Sequence, residues 1–308
     1  PALSLGGPVG EPPETAPPPD PVQGAWSPSP RSGSECLQVV GRWRNGPSVA
    51  IDVDGTTAVY GRGATLVVRS PFVPPSLGVA AELELPATVY GVAVHAGHAF
   101  VSTDGAGLLV VDVSDPAAPA IVGRSTEGFH GRRLHISGTA AFVAAAGEGL
   151  LVYDVSVPDA LVRIGSYDTD RTAEDVVVAG DHAYVADGRL GGVVILDVSS
   201  PTSPLYVTTY SPAGHHQPVG VAVEGTTLAM VDRWGGTANL YLVDISDPAN
   251  PVELSATVDN MVLDDVVFSG TTLYAVGGGS IRALDVAVPA APVPLDDRWL
   301  PGASWWDS

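Results

Sequence analysis

Apolar residues in this chain fall into short runs cut by Gly, Pro, Asp and Ser, and one run keeps returning. Leu109-Val110-Val111-Asp112-Val113-Ser114-Asp115-Pro116 comes back as Leu151-Val152-Tyr153-Asp154-Val155-Ser156-Val157-Pro158. Further copies are Ile195-Leu196-Asp197-Val198-Ser199-Ser200-Pro201, Leu242-Val243-Asp244-Ile245-Ser246-Asp247-Pro248 and Ala283-Leu284-Asp285-Val286-Ala287-Val288-Pro289. A worn copy stands ahead of them, Leu66-Val67-Val68-Arg69-Ser70-Pro71, with Arg69 in the Asp position. From Asp112 onward the steps are 42, 43, 47 and 41 residues. Such a period marks repeated supersecondary units, each too small to bury its apolar face alone.

The pattern around each run has a constant order. In the second repeat, Val92-Ala93-Val94-His95 reaches a turn at Ala96-Gly97-His98 and continues as Ala99-Phe100-Val101-Ser102. A Gly-rich loop, Asp104-Gly105-Ala106-Gly107, leads into the recurring run, and a Pro-marked turn precedes Ala120-Ile121-Val122-Gly123-Arg124. Four short strands with tight turns make an up-and-down antiparallel sheet. The apolar residues occupy successive positions, so both faces of each sheet must be covered. Sheets stacked face to face around an axis meet that demand. The predicted fold is all-β, a β-propeller of six four-stranded antiparallel blades. The blades span about 47–85, 90–126, 132–168, 174–210, 219–258 and 264–300. Residues 37–43 read as a further fourth strand, expected to close the ring on the last blade. That blade's own candidate, Val293-Pro294-Leu295-Asp296-Asp297, is poor strand material.

Composition changes the picture at one end. Glu11-Pro12-Pro13-Glu14-Thr15-Ala16-Pro17-Pro18-Pro19-Asp20-Pro21 has almost nothing to bury, so residues 1–35 are expected to be a disordered, Pro-rich tether ahead of a propeller over 36–308. The 36 Gly and 28 Pro forbid long helices. Acidic residues number 34 against 14 basic ones, all Arg, and the formal charge is −20. That balance argues against nucleic acid and anionic membrane surfaces as partners. No apolar stretch approaches the roughly 18 residues of a transmembrane segment. The single cysteine, Cys36, permits no internal disulfide and no multi-Cys metal site, and is read as a buried structural thiol.

Through the Leu-Val-Val-Asp-Val-Ser-Asp-Pro runs and the Ala183-Tyr184-Val185-Ala186 strand, the chain resembles the LVIVD-repeat family over about residues 37–300. Five of the six repeats fit well; the first departs at Arg69. The resemblance implies a propeller of bacterial and archaeal cell-surface or secreted proteins. It carries no catalytic motif.

The repeated acids Asp112, Asp154, Asp197, Asp244 and Asp285 each precede a Ser/Asp-Pro turn. A short carboxylate there accepts backbone N–H bonds in an Asx-type turn, so these acids are read as scaffold. Function is expected where the repeats differ, in the loops entering each first strand and those joining second to third strands. These share one end of a propeller. The candidate ligand-binding residues are His130, Arg132, Arg133, Asp175, His215, His216, Asp232, Trp234 and Asp265. Arg132 and Arg133 beside His130 suit a carboxylate or sulfate group gripped bidentately. Trp234 offers a ring for stacking on a sugar or peptide. His215 or His216 with Asp175 and Asp265 supplies imidazole and carboxylate donors for a divalent metal. Neither Gly-x-Ser-x-Gly nor His-Glu-x-x-His occurs.

The expected function is that of a monomeric, secreted or cell-surface binding module without catalysis or cofactor, which takes a protein or glycan on its loop face. The alternative is a hydrolase or lyase with a His/carboxylate site at the channel mouth, assisted by a divalent metal.

Overall fold

The computed structural model describes residues 50–73, 76–77, 80–214, 216–233, 239–257 and 262–299. The expected tether, Cys36 and the closing strand over 37–43 lie outside the described residues, as do His215 and Trp234. Among the described residues there is no helix.

Six four-stranded antiparallel sheets follow one another along the chain. Blade 1 is Ile51–Asp54, Thr57–Arg62, Thr65–Arg69 and Ala81–Glu84. Blade 2 is Val89–His95, His98–Thr103, Gly107–Asp112 and Ala120–Arg124. Blade 3 is Leu134–Ser137, Ala140–Ala144, Leu150–Asp154 and Val162–Tyr167. Blade 4 is Asp175–Ala179, His182–Ala186, Val193–Asp197 and Leu205–Tyr210. Blade 5 is Pro218–Glu224, Thr227–Asp232, Leu240–Asp244 and Val252–Thr257. Blade 6 is Asp265–Ser269, Thr272–Gly277, Ser280–Asp285 and Val293–Trp299. The six sheets thus run over residues 51–84, 89–124, 134–167, 175–210, 218–257 and 265–299. Blade 1 differs in carrying a small hairpin, Phe72–Val73 with Ser76–Leu77, between its third and fourth strands.

The second and third strands show why the apolar positions are consecutive. Side chains alternate faces along a strand, and here each face meets a different blade. Val101, Leu109 and Val111 pack back on Val59, Leu66 and Val68 of blade 1. Phe100, Leu108 and Val110, on the other face, pack forward on Ala141, Leu151 and Tyr153 of blade 3. The arrangement repeats through blades 3 to 6.

Each repeated Asp makes the expected turn. Its Oδ1 accepts the backbone N–H two residues on: Ser114 to Asp112 (2.9 Å), Ser156 to Asp154 (2.9 Å), Ser199 to Asp197 (2.9 Å), Ser246 to Asp244 (2.8 Å) and Ala287 to Asp285 (2.9 Å). The serine bonds hold Asp112, Asp154, Asp197 and Asp244 below the usual carboxylate range. In blade 1, Arg69 instead donates from Nε to the Tyr60 hydroxyl at 3.0 Å.

One expectation is overturned. Residues 293–297 are not poor strand material; they belong to the seven-residue outer strand Val293–Trp299, paired with Ser280–Asp285. An outer strand needs no apolar alternation: Val162, Leu205, Val252 and Val293 are all exposed at matching positions. Its pairing also breaks register once, in every blade from 2 to 6, leaving Val122, Ile164, Val207, Leu254 or Leu295 unpaired. A bulge on an edge strand is where a proline such as Pro294 is tolerated.

Candidate functional site at the channel mouth

The first strands of the blades surround a channel of about 890 Å³. Its wall is formed by residues such as Val92, Val177, Val223 and Val267, and by His135, whose imidazole burial holds toward the neutral form, partly offset by Asp52. At one end lie the non-repeating loops. In blades 1 to 5 the loop joining the second to the third strand meets the entry loop of the following blade. Asp104 bridges to His130, and Ala146 to Ala173. Leu190 N–H donates to the His216 carbonyl (2.7 Å), and Val89 N–H to the Gly63 carbonyl (2.8 Å). The repeated Asx turns lie at the opposite end, where Val113 N–H donates to Gly97 O (2.9 Å) and Val198 N–H to Asp181 O (2.8 Å).

Arg133 is the hub of the mouth. It precedes the first strand of blade 3, yet its Nη1 donates to Asp265 Oδ1 of blade 6 at 2.5 Å and to Asp175 Oδ2 of blade 4 at 3.3 Å. Its Nη2 donates to the Asp264 carbonyl at 3.1 Å. Asp175 also accepts from the backbone N–H of Val176 (2.8 Å) and, across the blade interface, of Val221 (2.9 Å). Burial pushes Asp175 up to about 6, against the pull of Arg133 and with the Asp265 charge adding to the rise. Burial also works against the Arg133 charge, but the carboxylates of Asp265 and Asp175 outweigh it and raise its pKa. Next to the hub, Arg233 donates from Nε to Asp264 Oδ1 at 3.0 Å.

The other candidates are placed in pairs. Arg132 lies with its guanidinium 4.8 Å from the Tyr90 ring centroid and its Nε 3.5 Å from Glu174. His130 Nδ1 is 2.6 Å from Asp104 Oδ1, and both side chains are exposed. His216 and Asp232 form a buried pair, Nδ1 to Oδ2 at 2.9 Å, with side chains 2 % and 0 % exposed. Asp232 further accepts from the Gln217 N–H, and the His216 ring meets that of Tyr241 edge-on at 5.7 Å. His216 Nε2 is buried without a hydrogen-bond partner.

The described candidates lie at one end of the ring and hold one another or their neighbours. Arg132 and Arg133 both line the channel, where Glu174, Asp175 and Asp265 engage them. Asp175 and Asp265 converge on Arg133, while His216 turns to Asp232. Among the described residues no group of three or more His, Cys, Asp or Glu is placed to hold a metal ion. The sequence reading left Asp104, Glu174, Arg233 and Asp264 out of the candidate set. Their position in the same entry loops and hairpins was the available signal. Thr169 and Asp187, buried polar residues near blade 4, carried no signal beyond that position.

A model described as the LVIVD repeat matches residues 88–126, 130–169, 170–211 and 220–259, which are blades 2 to 5. This is narrower than the 37–300 resemblance: blade 6 keeps the fold and the Asp285 turn without being matched. No curated protein matches the chain. Among solved structures, the beta-propeller domain of Cps50 (Swd1) from Myceliophteria thermophila is similar at TM-score 0.65 and 14% identity, over 86% of this chain and 89% of that one. U3-55K is similar at TM-score 0.66 and 10% identity, over 84% of each chain. A functionally unknown protein from Desulfotomaculum acetoxidans follows at 0.62 and 11%, over 76% of each. At such identities the fold alone is shared.

Proposed function

We propose, from the premise that this chain belongs to the LVIVD-repeat family, that it is a non-enzymatic interaction module. It takes a protein or glycan partner on the end of the ring that carries the entry loops. One observation supports this reading above the rest: the residues that differ between repeats gather at that end, while the other end repeats one Asx turn. At the entry-loop end several polar groups remain open to a partner. The side chains of His130, Arg233 and Asp265 are 70%, 44% and 44% exposed. Arg133 and Asp175 are tied into a network that holds the blades together. We place the module, as a monomer, at the cell surface or outside the cell, in keeping with its acid excess and the repeats it carries.

Glycan and peptide arrays probed with three proteins test this: wild type, a His130→Ala/Arg233→Ala variant, and an Asp112→Asn/Asp197→Asn variant of the opposite end. Binding lost only in the first variant is the expected outcome. Binding lost only in the second, or retained in both, contradicts it.

A second reading has one observation in its favour. The His216–Asp232 pair leaves Nε2 without a partner, the arrangement of an imidazole oriented for general-base work in a hydrolase or lyase. It requires turnover of a chromogenic ester or glycoside panel that His216→Ala abolishes and Arg233→Ala does not.

A further inference from the structure

Arg132, Arg133 and Arg233 line the channel together with Glu174, Asp175, Asp264 and Asp265. At the centre of this set one nitrogen serves two acids. Arg133 Nη1 donates to Asp265 Oδ1 at 2.5 Å and to Asp175 Oδ2 at 3.3 Å. The two acids are not equivalent: the side chain of Asp265 is 44% exposed and that of Asp175 8%. Two carboxylates drawn to one point repel each other, so uptake of a proton relieves them. The buried one has least water around its charge and is where the proton goes. Burial raises Asp175 to about 6, with Arg133 opposing the rise and Asp265 adding to it.

What the proton does follows from how each partner is held. Asp175 is fixed. It opens the first strand of blade 4, pairs with Ala186, and accepts from the N–H groups of Val176 (2.8 Å) and, in blade 5, Val221 (2.9 Å). Arg133 has alternatives on blade 6, namely Asp265 and the Asp264 carbonyl, to which Nη2 donates at 3.1 Å. A proton favours the arrangement that binds it more tightly. A buried Asp175 binds it more tightly once the guanidinium has moved away. Arg133 is therefore the moving part. The surrounding charges are paired elsewhere: Arg132 with Glu174 at 3.5 Å, and Arg233 with Asp264 at 3.0 Å. His135 stands along the channel wall. Asp187 follows Ala186 in blade 4, and Glu224 ends the first strand of blade 5.

We propose that the Arg133–Asp175–Asp265 cluster is a proton-operated switch at the channel mouth. With both acids ionised, Arg133 ties blade 3 to blades 4 and 6. With a proton on Asp175, Arg133 leaves blade 4 and stays with Asp265 and the Asp264 carbonyl of blade 6. The mouth is then less negative by one charge, so the charge of the entry-loop face depends on pH. The switch rests on the geometry of the cluster and not on the interaction-face reading.

NMR titration of the isotope-labelled full chain from about pH 8 to about pH 4 tests this. Two reporters are followed: the Val221 amide, which donates to Asp175, and the Arg133 guanidinium, identified by its loss in Arg133→Met. Both are expected to move through one shared midpoint near 6. Asp265→Asn removes the like charge and should lower the midpoint by roughly one pH unit. Arg133→Met removes the opposing charge and should raise the Val221 midpoint by about as much. Asp175→Asn should abolish the transition and hold Arg133 in its acid position throughout. His135→Gln and His216→Gln should leave the midpoint in place. If Asp175→Asn fails to fold, Asp265→Asn decides alone. The proposal is overturned by reporters that titrate separately or not at all, or by a transition that persists in Asp175→Asn or disappears in either histidine variant. A midpoint that Asp265→Asn leaves in place or raises overturns it equally.

Discussion

Arg133, at the entry to blade 3, reaches the carboxylates of Asp175 in blade 4 and Asp265 in blade 6. Its place in an entry loop was readable from the repeat register. Its engagement with Asp265, 132 positions away, was not, because nothing local encodes a contact across a ring. The Asx acids are the opposite case: their partners sit two residues on, so the turn was legible in the motif. Removing Arg133 leaves Asp175 buried without its cation. Arg133→Met should lower stability by about 3 kcal/mol near neutral pH, the cost of breaking a buried pair. Denaturant melts check this, and the deficit should shrink toward about pH 4, where Asp175 is protonated. In wild type, Asp175 is raised from 3.8 to about 6 in the fold. A group raised in the native state contributes stability that is full below its unfolded value and lost as pH rises through the folded one. Asp175→Asn should therefore gain in Tm relative to wild type as pH rises from about 4 to about 7. A difference that stays flat across that range contradicts the burial argument.

At the level of the strand, the repeated run has a second use beyond its turn. The carbonyl of its Pro faces the outer strand of the blade before. A Cβ at Gly123 would run into the Pro158 carbonyl, and one at Gly165 into that of Pro201. At the matching place in blade 5, Ser255 Oγ donates to Pro289 O at 2.8 Å. Each site lies just past the bulge, so bulge, glycine and Pro turn together set how one blade seats on the next. Gly165→Ala should cost about 1–3 kcal/mol by overpacking, read from urea melts, whereas Gly180→Ala has nothing within 4 Å and only its left-handed φ to strain. Leu151→Ala, between blades 2 and 3, should cost about 2–5 kcal/mol. The middle strands were legible because they are buried on both faces. The outer strand of blade 6 was misjudged because exposure frees it from the apolar pattern, and Pro294 sits where the register already breaks.

For the whole molecule, repetition divides the ring into an end that recurs and an end that does not. The division was visible in the sequence, since laying the repeats over one another exposes the entry loops. If the non-repeating end is the binding end, amide hydrogen exchange of the full chain, with and without its best array ligand at saturation, shows it directly. Protection is predicted in the loops around Asp104, His130 and Arg233, with the Asx turns at Asp112, Asp154 and Asp197 unchanged. Protection confined to those turns would contradict it.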